Sequence, residues 1–111
     1  MCEKIMKVNQ VLRTYQGFWN PVNNHSVVSE DYSALYKLCD AAAYNGRSYL
    51  ILRQSELPLY MFGDVESLVT FTQTEQEICD FRRRLLINMF SNNGFKIAVD
   101  DEYKQLKIWW V

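Results

Sequence analysis

Histidine, proline and glycine are scarce in this chain, which has one His, two Pro and four Gly in 111 residues. The single histidine, His25, has no acid and nucleophile set in a recognisable catalytic arrangement around it. The glycines form neither of the common phosphate-binding motifs, G-x-G-x-x-G and G-x-x-x-x-G-K-[ST]. The cysteines, Cys2, Cys39 and Cys79, are widely spaced and lack the pairing of a zinc site, so we expect reduced thiols. The sequence therefore predicts no enzyme, no cofactor and no metal.

The chain also lacks a large excess of charge of either sign, and it lacks long apolar runs. The 12 basic and 13 acidic residues give a net charge of −1, which argues against a dedicated electrostatic binder of duplex nucleic acid. No apolar run approaches the roughly 18 residues that a membrane span needs, and the N-terminus lacks the apolar core of a signal peptide. We expect a soluble, cytoplasmic protein without membrane contact.

Apolar and aromatic residues are abundant, at 49% and 14%. A chain of this length buries about two thirds of its unfolded surface in one core, so residues 1–111 are predicted to form a single domain. So many large apolar side chains also leave more apolar surface than a small core hides easily.

The last third of the chain gives the clearest structural signal. Thr74 and Glu77 have the spacing of a capping box, which predicts that a helix starts there. Apolar residues then recur at intervals of three and four, namely Ile78, Phe81, Leu85, Leu86, Met89 and Phe90. Asn92-Asn93-Gly94 predicts the helix end. Alternation over residues 95–99 and 106–110, separated by an acidic turn, predicts a β-hairpin.

A similar helix and strand are predicted upstream. Ser29, followed by two acidic residues, is a good helix N-cap, and Asn45-Gly46 predicts the end of that helix. Residues 47–53 then read as a strand. Two such helix–strand steps predict an α+β fold in which two main helices pack on one face of a three-stranded, mainly antiparallel sheet.

The remaining segments are less regular. Residues 3–16 predict an N-terminal amphipathic helix that ends at Gly17, with a strand over residues 7–15 as the weaker alternative. Residues 17–25 predict a loop. Residues 54–73 favour a short helix at 64–69 or an irregular loop, with a strand at 67–72 as the alternative.

The outer face of the predicted sheet points to a partner. If residues 95, 97, 99, 106, 108 and 110 face the helices, the opposite face receives the apolar residues Tyr49, Ile51, Ala98, Trp109 and Val111. A solvated sheet face is normally polar, so we expect either the N-terminal segment or a second protein to cover it. A last strand at the sheet edge would also invite strand addition.

Two further groups of residues have alternative interpretations. Phe18 and Trp19 either fill the edge of the domain's own core or form an adhesive loop for a partner. The run Arg82, Arg83 and Arg84 is expected to face solvent. It either forms intrahelical ion pairs or combines with Arg47 and Arg53 into an anion or nucleic-acid patch.

The order of helix, Asn-Gly, strand, helix, Asn-Gly and hairpin resembles that of small uncharacterised proteins of tailed bacteriophages. The matching residues are AAAYNGRSYLI at 41–51, NGFKI at 93–97 and LKIWW at 106–110. The resemblance implies a viral protein that acts by binding inside the infected bacterium, as a host-takeover or counter-defence factor or a minor virion part.

Three hypotheses about function follow from these observations. The first is a non-enzymatic protein-binding module whose partner is either a second copy of the chain, in a homodimer, or another protein. Its contact residues are Trp109, Tyr49, Ile51, Val111 and the pair Phe18 and Trp19. The second is a nucleic-acid or nucleotide binder that uses the arginines and stacking tyrosines. The near-zero net charge favours a protein partner over nucleic acid, and an enzyme is the third and weakest hypothesis.

Overall fold

The architecture is described by a computed structural model over residues 8–62 and 71–111. The helices and strands follow the order α1 (Val8–Phe18), α2 (Asn24–Tyr44), β1 (Tyr49–Arg53), α3 (Leu59–Phe62), α4 (Gln73–Asn92), β2 (Lys96–Asp100) and β3 (Gln105–Trp109). Single 3₁₀ turns at Pro21–Asn23 and Gln54–Glu56 precede α2 and α3. None of the helices in these two ranges is long and apolar enough to cross a bilayer.

The three strands form an antiparallel sheet in the order β1-β3-β2. Helices α2 and α4 pack against each other, and they also contact β1 and β2 respectively. The core between the layers includes Leu52, Leu86, Phe90, Leu106 and Ile108, all buried. The predicted α+β fold with an N-terminal helix is thereby confirmed. Because β3 pairs on both sides, it is the central strand, and strand addition to it is not available.

Helix α2 begins six residues earlier than the sequence indicated. The N-cap position is Asn23, and Ser29 lies inside the helix. The predicted loop over residues 17–25 is correspondingly short, because α1 continues through Gly17 to Phe18 and the turn Pro21–Asn23 leads directly into α2. Nδ2 of Asn23 donates to the carbonyl of Gly17 at 2.7 Å, which fixes this corner. The end of α2 agrees with the prediction, with Gly46 at φ +83° after it.

Helix α4 has the predicted type of cap at a different threonine. Thr72 and Glu75, with the same spacing as Thr74 and Glu77, form a reciprocal capping box. The buried line along the helix also differs from the prediction, because it passes through Ile78, Arg82, Leu86 and Phe90 at intervals of four. Phe81 is 42% exposed, so the predicted apolar stripe is rotated on the helix axis.

The region after β1 joins the core through α3. Pro58 precedes this helix and its carbonyl accepts from the amide of Met61. Tyr60 and Met61 are both buried. The helix predicted at 64–69 and most of the strand predicted at 67–72 lie outside the described residues, as do residues 3–7 of the N-terminal helix. The strand alternative for residues 7–15 is wrong, because α1 is helical from Val8 onward.

Candidate interaction surface

The sheet face turned away from the helices is apolar at one end and polar at the other. Its three cross-strand rows are Tyr49–Trp109–Lys96, Ile51–Lys107–Ala98 and Arg53–Gln105–Asp100. Tyr49, Ile51 and Trp109 lie together, as predicted, and we call these three residues the aromatic end. The expectation of a wholly apolar face is wrong, because polar residues occupy the whole last row and one position in each of the others.

The aromatic end is exposed and ordered by its neighbours. Tyr49 is 47% exposed and Ile51 43% exposed, whereas Trp109 is half-buried. The ammonium of Lys107 lies 5.6 Å from the centres of both the Tyr49 and the Trp109 rings. Lys107 therefore makes a cation–π contact with each of the two rings.

Helix α1 does not cover the sheet. It lies near the start of α4, where the Tyr15 hydroxyl donates to the Glu75 carboxylate. Trp19, which directly follows α1, packs its ring against Phe71. The expectation that the N-terminal segment covers the outer face is therefore wrong for residues 8–19, the part of that segment that the structure describes. The C-terminal Val111 is exposed beside this face.

Helix α1 leaves an apolar surface of its own. Its predicted stripe is present, but none of its residues is buried. Val8 is 69% exposed and Tyr15 52% exposed, with Val11 and Leu12 exposed between them. Helix α1 therefore carries a second apolar surface, separate from the sheet, that none of residues 8–62 and 71–111 buries.

Phe18 and Trp19 pack within the protein. The Trp19 ring centre lies 5.0 Å from that of Phe18 and 5.5 Å from that of Phe71. The guanidinium of Arg82 lies 4.8 Å from the Phe18 ring centre. Both aromatic residues are half-buried at the start of α2, and the structure does not bring them together with the aromatic end of the sheet.

The five candidate arginines do not form one patch. Arg82 is fully buried, so the prediction that the whole arginine run faces solvent is wrong. The reason is that α4 turns every fourth residue inward, and Arg82 lies on that line. Arg83 forms an ion pair with Asp101 at 2.9 Å, and Arg84 is exposed. Arg47 precedes β1 and Arg53 is its last residue, so these two exposed arginines lie at opposite ends of that strand.

A partly buried hydrogen bond joins α2 and α3 close to the Arg82 charge of α4. The Tyr60 hydroxyl donates to the carboxylate of Asp31 at 2.8 Å. Burial raises the pKa of Asp31, although the Tyr60 hydrogen bond and the Arg82 charge partly oppose the rise. Burial, followed by the bond to Asp31, raises the pKa of Tyr60. The hydrogen bond between Tyr60 and Asp31 joins α3 to α2.

The two described thiols, Cys39 and Cys79, and the ring of His25 lie against other side chains of the protein. Burial raises the pKa of both Cys39 and Cys79 to about 11, so each remains a protonated thiol at neutral pH. The ring of His25 packs edge-on against Phe81 at 6.2 Å between centres. Within residues 8–62 and 71–111, no cluster of His, Cys, Asp and Glu has a geometry that could hold a metal ion.

A cleft lies beside the aromatic end, on the helical side of the sheet. It has a volume of about 130 Å³, and its lining residues are Tyr36, Cys39, Asp40, Ala43, Phe95 and Trp110. The sequence did not predict this cleft, because the alternating pattern placed Phe95 and Trp110 on the sheet face that packs against the helices. The available signal was the i, i+4 pair Tyr36 and Asp40 on a helix that leads into the sheet.

Comparison with known proteins identifies no relative. No protein-family model, no curated protein and no solved structure matches the chain. The geometry described above is therefore the basis for assigning a function.

Proposed function

We propose that this protein is a non-enzymatic protein-binding module whose aromatic end contacts the partner. The observation that carries the proposal is the exposure of Tyr49 and Ile51 beside Trp109 on a sheet face that no described residue of the chain covers. Tyrosine and tryptophan are enriched among the residues that dominate binding energy at protein interfaces.

The arrangement of the face supports this proposal. The aromatic end lies on paired strands, and a regular sheet holds its side chains with little freedom to lose on binding. The polar row Arg53, Gln105 and Asp100 adjoins it, which matches the usual apolar centre and polar rim of an interface. The contact would be small, because polar residues limit the apolar area.

The partner is either a second copy of the chain or another protein. The resemblance to small phage proteins favours a host-takeover or counter-defence factor that inhibits a bacterial protein in the host cytoplasm. A minor virion protein is the alternative role for the same surface.

Nucleic-acid or nucleotide binding has weaker support. Arg82 is buried and Arg83 is paired with Asp101, which leaves Arg47, Arg53 and Arg84 dispersed over the surface. A net charge of −1 adds no long-range attraction for phosphates.

The proposal is tested with Trp109→Glu, which puts a charge at the centre of the aromatic end. A matched control is Tyr103→Glu, because Tyr103 is an exposed aromatic residue in the turn between β2 and β3. Light scattering after size exclusion measures self-association, and capture from a bacterial lysate with mass spectrometry measures a heterologous partner. We expect Trp109→Glu to lose the dimer or the captured protein, while Tyr103→Glu retains it. If the wild type is a monomer and all three proteins capture the same set, the proposal is wrong.

A further inference from the structure

Three aromatic rings and one carboxylate surround the cleft beside the aromatic end. Tyr36 and Asp40 come from α2, Phe95 directly precedes β2, and Trp110 directly follows β3. The Phe95 ring is nearly perpendicular to both other rings, at 87° to Tyr36 and 82° to Trp110, with ring centres 6.2 and 6.4 Å apart. The three rings therefore line the cleft at angles to one another and do not stack in parallel.

The walls are held by the backbone and by the core. Nε1 of Trp110 donates to the carbonyl of Arg47, and its backbone amide donates to the carbonyl of Ser48, each at 3.2 Å. The Phe95 ring packs on Phe90, with ring centres 5.3 Å apart. The cleft is thus formed before any ligand arrives, which lowers the entropic cost of binding.

The charge of the cleft is negative. Asp40 is its one charged lining residue, and the carboxylate is exposed without an ion pair to any residue that the structure describes. Cys39 contributes a protonated thiol, since burial raises its pKa to about 11. Aromatic rings carry negative potential over their faces, so the rings and the carboxylate favour the same kind of ligand, an organic cation.

We propose that this cleft binds an alkylammonium group, presented as a lysine side chain of the protein partner. A cavity of about 150 Å³ accommodates benzene, with its six carbon atoms. The 130 Å³ of this cleft therefore suits the four methylenes and the nitrogen of lysine.

The source of the lysine rests on the proposed function. Trp110 follows Trp109, and Ser48, which holds Trp110, precedes Tyr49, so the cleft and the aromatic end occupy the same end of the sheet. A partner seated on the aromatic end can extend a side chain over this end into the cleft. The affinity of the cleft for an ammonium group is measured on the protein alone and does not depend on that partner.

The first test is an NMR titration of the Trp110 indole N–H with n-butylammonium, compared with uncharged n-butanol. We expect a saturable shift with n-butylammonium and binding of n-butanol weaker by about fivefold or more, as the loss of a cation–π contact implies. Asp40→Asn, which removes the charge of an exposed carboxylate, and Tyr36→Leu, which removes an aromatic ring, should each weaken the affinity for n-butylammonium by about two- to fivefold. The control variants Glu30→Gln, an exposed acid on the same helix, and Tyr103→Leu should bind as the wild type does.

Several results would overturn the inference. Equal binding of n-butanol means that the cleft is merely apolar, and an unchanged affinity in Asp40→Asn removes the carboxylate from the site.

A second experiment compares a short lysine peptide with phosphatidylcholine vesicles, and we expect the peptide alone to shift the Trp110 signal. Vesicle binding that is lost in Asp40→Asn would instead assign the cleft to a lipid headgroup. If Trp109→Glu retains every partner while n-butylammonium still binds, the proposed function fails and the cation site stands.

Discussion

Arg82 and Asn24 are hydrogen-bonded inside the protein, with 2.7 Å between Nε and Oδ1 and 58 positions between them in sequence. Nη2 of the same guanidinium donates to the carbonyl of Phe18, and the Phe18 ring packs on its face. One side chain of α4 therefore fixes both the end of α1 and the start of α2. Nη1 is buried without a hydrogen-bond acceptor among the described residues.

We predict that Arg82→Leu lowers the free energy of unfolding by about 3 kcal/mol, because removal of one partner leaves buried polar groups unsatisfied. Arg82→Lys should also destabilise, since an ammonium cannot reproduce the planar contacts of the guanidinium. The matched control is Arg84→Leu, at an exposed position of the same run, with a change within about 0.5 kcal/mol. Urea unfolding measures all three variants. Equal midpoints for Arg82→Leu and Arg84→Leu would contradict the buried position of Arg82.

Asp31 predicts a dependence of stability on pH. Its pKa is raised above the ordinary value of 3.8, mainly by burial, so the folded protein holds a proton that the unfolded chain releases. In the window from about 3.8 up to the raised pKa, the folded state binds more protons, and stability therefore increases as the pH falls. Above the window, the charged carboxylate costs stability.

The variant Asp31→Asn resembles the protonated form, and Tyr60 can still donate to its oxygen. We expect Asp31→Asn to unfold at a higher urea concentration than the wild type at pH 7. The difference should shrink as the pH falls through the window. A variant that is less stable than the wild type at pH 7 would show that the attraction to Arg82 outweighs the cost of burial.

Local sequence patterns predicted most of the fold. The period-two segments before and after the acidic turn became β2 and β3, and Gly46 and Gly94 adopt the positive φ values that follow helix ends. These features depend on residues within one or two turns of each other, so the sequence alone specifies them. The same alternation within the hairpin places Lys96 and Lys107 on the outer face, which had been expected to be apolar.

The features that were not predicted depend on contacts between distant residues. The three arginines by themselves do not indicate which one faces the core, although Arg82 lies four residues from both Ile78 and Leu86. The polar partners that let a buried guanidinium be accommodated, Asn24 and Phe18, lie 58 and 64 positions away in the sequence. The early start of α2 has the same cause, since Asn24 is buried against Arg82. The cleft combines residues from one helix and both ends of the hairpin, so no single stretch of sequence contains it.

The start of α4 shows how two identical local signals are separated by an experiment. Both Thr72 and Thr74 have a glutamate three residues later, yet the structure places the capping box at Thr72 and Glu75. Oγ1 of Thr72 accepts from the Glu75 amide at 3.2 Å, and the Glu75 carboxylate accepts from the Thr72 amide at 2.9 Å. We predict that Thr72→Ala lowers the free energy of unfolding by about 1 kcal/mol. Thr74 lies within the first turn, where alanine is the better helix former, so Thr74→Ala should leave stability unchanged or raise it by a few tenths of a kcal/mol. Urea unfolding at pH 7 compares the two variants under the same conditions, and a larger loss in Thr74→Ala would move the helix start to Thr74.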